Sequence, residues 1–142
     1  MKKTKSNIPI SPMIKYGELS IKEKIHKLLE YLDLANSNKA NRLTPLELQL
    51  LTEFLCLDAK YTYYRFSTIC KRIIQANFIK EYNKKLNSIH LNNKLKDLEK
   101  KGWLTRDEDN QMAIKPVLQI MINKLELNDL TLVVDFRKTK DN

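Results

Sequence analysis

Leu91, Leu95 and Leu98 stand at i, i+4 and i+7 in the stretch LNSIHLNNKLKDLEKKGWLTR (86–106), and the residues between them carry the chemistry. If the three leucines turn inward on a helix, Ile89, Asn93, Lys96 and Lys100 lie opposite, with His90 and Asp97 flanking them. The Asn93 carboxamide matches the donor and acceptor on the adenine edge, the His90 imidazole can donate to a base edge or a phosphate, and Ile89 suits a thymine methyl. Lys96, Lys100 and the adjoining Lys101 supply cations for phosphates. This is a chemistry of contact with a polyanion.

Bond-making arrangements are thinly supplied. His90 and Asp97 are seven residues apart, and His26 and Glu30 four apart. Neither pair has a neighbouring nucleophile or a third, orienting group, so each reads as polar helix surface and no enzymatic activity is expected. Two His and two Cys, with no C-x-x-C or H-x-x-x-H spacing, are too few for a structural zinc site, and no metal or cofactor is expected. Cys56 and Cys70 fall among apolar residues at helical spacing, as buried thiols do. Without a disulfide framework the setting reads as reducing and cytoplasmic. Only Gly17 and Gly102 occur, which excludes Gly-rich phosphate loops and dinucleotide fingerprints.

Charge points the same way as the helix. Lys and Arg outnumber Asp and Glu by 26 to 17, a formal +9, which favours an anionic partner. The segment from Lys60 to Lys101 holds eleven basic residues against Glu81, Asp97 and Glu99, a net of +8, so nearly all the excess is concentrated there. A/T-rich coding, which enriches Lys, Asn and Ile together, accounts for part of this bias. No run is long and apolar enough to span a bilayer, and the basic start lacks the apolar centre of a signal peptide, so no membrane partner is expected.

These residues need elements to position them, and 142 residues suit one core. Residues 1–19, with Pro9 and Pro12 and no apolar period, read as an extended arm. Ser20 and Glu23 form a capping box for an accessory helix over 20–34, with Ile21, Ile25, Leu28, Leu29 and Leu32 on one face. After a polar connection, Thr44, Pro45 and Glu47 start a helix to about Leu57, with Leu46, Leu50, Leu51, Phe54 and Leu55 as its buried stripe. Tyr61 to Phe66 is β-prone and reads as a short strand or an ordered loop. Ser67 caps a third helix whose inner face is Cys70, Ile73, Ile74, Phe78 and Tyr82. The fourth helix, 88–101, stops at Gly102. Trp103 and Leu104 open a hairpin that turns at Asp107 to Asn110, with Trp103 expected as a plug at its base. A helix after Pro116 and a strand over 130–136 form a C-terminal extension, 116–142.

The fold class expected is mainly α with a small β-hairpin. The stretch IHLNNKLKDLEKKGWLTR resembles the recognition helix and following strand of winged helix-turn-helix regulators of the MarR-like kind. Leu91, Leu95 and Leu98 take the apolar places, Glu99, Lys100, Lys101 and Gly102 the ending, and Trp103 and Leu104 the lead into the wing. LTPLELQLLTEFL is similar to the first helix of such domains, and the likeness covers Leu43 to Ile114, within an expected domain over 43–115. Small phage-encoded proteins carry the same kind of pattern. The resemblance implies a transcriptional regulator on double-stranded DNA. Helix 88–101 then enters the major groove, while Arg72 on the second helix and the Lys84/Lys85 turn meet the backbone. It also raises a homo-oligomer, paired through 20–34 or 116–127.

Three features fit that implication badly. The expected reading helix has no arginine, Asp97 faces a polyanion, and Asp107, Glu108 and Asp109 make the hairpin tip acidic beside a single Arg106. They favour a second expectation, a phage virion or assembly protein that uses the scaffold for docking. Its protein partners would be gripped through the N-terminal arm and the C-terminal strand.

Overall fold

The structure, a computed structural model, describes residues 19–126; the expected arm up to residue 18 and the expected strand over 130–136 lie outside the described residues. Within them five α-helices and one two-stranded antiparallel sheet follow in the order α1 (Ile21–Leu34), α2 (Pro45–Leu55), α3 (Thr68–Tyr82), α4 (Ser88–Lys100), β1 (Leu104–Arg106), β2 (Met112–Ile114) and α5 (Pro116–Glu126).

The helix starts form where side chains satisfy otherwise unpaired N–H groups. Ser20 Oγ accepts from the Glu23 amide at 3.1 Å while the Glu23 carboxylate accepts from the Ser20 amide at 3.0 Å. Thr44 and Glu47 repeat the exchange at 3.2 and 2.9 Å, with Pro45 in the first turn where its missing N–H costs nothing. Ser67 and Asn87 each accept a single backbone N–H at the starts of α3 and α4.

One core joins all five helices. Ile25, Leu28 and Leu29 of α1, Leu50, Leu51 and Phe54 of α2, Ile74 and Phe78 of α3, and the three α4 leucines meet Leu118 and Ile122 of α5. Each fully buried aliphatic side chain contributes about 1.5–3 kcal/mol relative to exposure. The inner faces of α1 and α5, the two helices raised for oligomer contacts, are therefore buried against their own chain. Outward they leave Ile21, Leu34, Val117 and Ile120. No helix among the described residues is long and apolar enough to cross a membrane.

The β-prone segment is not a strand. Residues Ala59–Tyr64 form two turns of 3-10 helix. Asp58 caps it through the Lys60 amide, and Tyr61 and Tyr64, three apart and so eclipsed, touch edge to face at 5.8 Å. Arg65 then turns back, and its buried guanidinium donates to the carbonyls of Phe54 at 2.8 Å and Leu55 at 3.4 Å. Those carbonyls end α2, where a cation is favourable.

Candidate nucleic-acid interface

Five residues, 83–87, connect α3 to α4. Asn83 ends α3 at φ +52°, a left-handed conformation that asparagine tolerates. Leu86 is buried as a plug, and Gln75 of α3 donates to its carbonyl at 2.9 Å. At the far end α4 closes on Gly102 at φ +85°. The Trp103 amide donates to Leu98 and the Gly102 amide to Glu99, the paired bonds of a Schellman motif, and the buried Trp103 and Leu98 supply its apolar contact. The Trp103 indole N–H donates to the Asn41 carbonyl at 2.8 Å, which makes it the anchor expected at the base of the hairpin.

So fixed, α4 buries Leu91, Leu95 and Leu98 and turns outward the ridge expected of it. Ile89 is 75% exposed, and His90, Asn93, Lys96 and Lys100 are exposed with it. Asn92, not singled out by the leucine period, is exposed on the hairpin side. On α3, Arg72 is exposed, as are Lys84 and Lys85 in the turn, although Lys84 reaches Gln49 at 3.3 Å. Among the described residues Arg72, Lys80, Lys85, Lys96 and Lys100 have no acidic partner. Asp97, the misplaced acid of the expected reading helix, lies 3.8 Å from Lys94, a surface pair worth at most about 1 kcal/mol.

Lys101 departs from its expected place. One position round the helix from Lys100, its ammonium is directed inward to the Glu47 carboxylate at 2.6 Å and the Arg42 carbonyl at 3.0 Å. Glu47 is buried, which alone would favour its neutral form; Lys101 and the Thr44 amide outweigh this and hold its pKa below the ordinary value. Lys101 is therefore a cation joining α4 to α2.

The hairpin pairs Leu104 with Ile114, Thr105 with Ala113 and Arg106 with Met112. Its acidic tip is internally organised: Asp107 Oδ1 accepts from the amides of Asp109 and Gln111, both at 2.9 Å, and Asn110 sits at φ +60°. Arg106 grips both Glu99 oxygens at 2.8 and 2.9 Å, which lowers the pKa of that carboxyl, and also donates to the Asn110 carbonyl of the turn at 3.2 Å. The single cation of the hairpin is thus already neutralised.

Sequence reasoning did not find a buried polar centre behind α3. The Glu53 side chain is wholly buried, and its carboxylate takes Lys22 Nζ at 2.8 Å, Tyr82 Oη at 3.0 Å and Asn77 Nδ2 at 3.3 Å. Lys22 also pairs with Glu81 at 2.6 Å. Among the described residues no three His, Cys, Asp or Glu side chains converge as a metal would require, and the His26 ring meets only Glu30 at 3.3 Å on the surface of α1. Compared with protein-family models, curated proteins and solved structures, the chain matches none.

Proposed function

We propose that residues 43–115 form a winged helix-turn-helix unit that binds double-stranded DNA, with α4 in the major groove, and that the protein acts as a transcriptional regulator. One observation carries this reading: opposite its three buried leucines α4 presents an amide, an imidazole and two lysines, with the exposed Arg72 and Lys80 on α3 and Lys85 between the helices. Cations without acidic partners gain most from a polyanion, because counterions released from DNA supply affinity independent of sequence. In this arrangement Asn93, His90 and Ile89 meet base edges, Lys96 and Lys100 meet phosphates, and Arg72, Lys84 and Lys85 brace the backbone. Lys101 no longer belongs to the set.

The acidic hairpin and the exposed Ile69 and Ile79 of α3, at 61% and 56%, favour a second reading, in which the same surface docks a protein in a phage virion or its assembly. Titrating short duplex DNA at increasing salt separates the two. The regulator loses affinity steeply with salt, and Lys96→Glu with Lys100→Glu weakens it by about tenfold or more, since two phosphate contacts become repulsive. Binding indifferent to salt and to both substitutions overturns the DNA reading.

A further inference from the structure

Beside the α4 ridge runs a cleft of about 700 Å³, bounded by Thr62, Ser67 and Lys71 before and at the start of α3, by Asn92 and Lys96 of α4, and by Gln111 of the hairpin. We propose that this cleft seats the sugar–phosphate backbone of a DNA strand, with Lys71 as its anchoring cation; the inference rests on the DNA reading above.

The charges lining the cleft decide the argument. Arg65 is committed to the carbonyls at the end of α2, Arg106 to Glu99, and Asp107 Oδ1 to two backbone amides. That leaves Lys71 and Lys96 as cations with no acidic partner among the described residues. Lys96 is exposed and well hydrated, but Lys71 is half-buried, and burial lowers its pKa with nothing to offset it. An ammonium withdrawn from water without a counter-charge is stabilised by an incoming anion more than a solvated one is. The helix end itself is not the attraction, because Ser67 Oγ already accepts the Cys70 amide at 3.3 Å. Its hydroxyl hydrogen is still available to donate, as is the side-chain amide of Asn92, which suits phosphate and sugar oxygens.

Continuity with the ridge selects a nucleic-acid strand over an acidic peptide. Lys96 lines the cleft and also lies three residues from Asn93, so both side chains share one helix face. A strand read by Asn93 brings its next phosphates to Lys96 and Lys71. The hairpin then acts as a wall of the cleft, in which Asp107 is held by the Asp109 and Gln111 amides while Glu108 and Asp109 lie beyond the lining.

The test uses the full chain and short duplex DNA of random sequence, because a backbone seat is blind to sequence. Lys71→Gln is expected to weaken binding about three- to tenfold and to reduce the slope of log affinity against log salt by about 0.9, the share of one phosphate, while Lys71→Arg retains both. Asn93→Ala leaves that slope unchanged. If wild-type protein binds but Lys71→Gln keeps the full slope, the cleft inference is overturned and the DNA reading stands; if wild type does not bind, both fall. Acetylation of the wild-type protein, read by mass spectrometry, does not depend on how the variant folds. Bound DNA is expected to protect Lys71 as well as Lys96 and to leave Lys124 reactive. An unprotected Lys71, or one protected by polyglutamate and not by DNA, overturns the seat.

Discussion

Glu53 shows how much one residue's environment can differ from what its type suggests. On an amphipathic helix a glutamate ordinarily faces water, yet this one is 1% exposed and is held by Lys22, Tyr82 and Asn77. Burial works against the Lys22 charge, but its bonds to Glu53 and Glu81 outweigh that cost and raise its pKa. Beside them burial pushes the Cys56 thiol up to about 11, with Glu53 adding to the effect, so the sulfur stays protonated at neutral pH. Lys22→Met leaves the Glu53 carboxylate buried with two neutral donors and no cation. Urea denaturation is expected to show a loss of about 3 kcal/mol, the size typical of breaking a buried pair from one side. Combining it with Glu53→Gln should recover part of that loss; a fully additive double variant contradicts the coupling.

At the scale of elements, α4 depends on its stop. Gly102 at φ +85° holds the bonds that turn the chain from helix into hairpin. An added Cβ would meet only the flexible Lys115 ammonium at 3.6 Å, so the cost of Gly102→Ala is conformational and amounts to about 1–2 kcal/mol. A lowered melting temperature with unchanged helical circular dichroism checks this. The stop, both capping boxes and the leucine period were legible in the sequence because each is a local pattern of a few residues. The 3-10 turns over 59–64 were not, because what overrides the β preference of their tyrosines is partly distant: Arg65 reaches the end of α2, eleven residues back. Lys100 and Lys101 are alike in type and adjacent, and periodicity alone cannot say that the second meets Glu47 across 54 residues of chain. A helical period identifies a face, not the partner waiting on it.

For the molecule as a whole, an ion pair ties together elements far apart in the chain. Lys101 with Glu47 fastens the end of α4 to the start of α2, and the Glu47 pKa is lowered in the folded state. A lowered carboxyl pKa contributes stability that is complete above the unfolded value near 4.5 and disappears as the pH falls through the folded value. Melting temperature is therefore expected to fall as pH drops below about 4.5, and Glu47→Gln should flatten that dependence while lowering stability at neutral pH. An unchanged acid limb in the variant would assign the effect to other carboxyls.

The pairing of Lys22 with Glu81 has a practical consequence for anyone labelling this chain. It sets the first turn of α1 against the last turn of α3, one bend away from the α4 ridge. A fluorophore or affinity tag attached just ahead of Ser20 therefore starts its path at the last turn of α3, and its bulk and charge bear on the Glu81 carboxylate there.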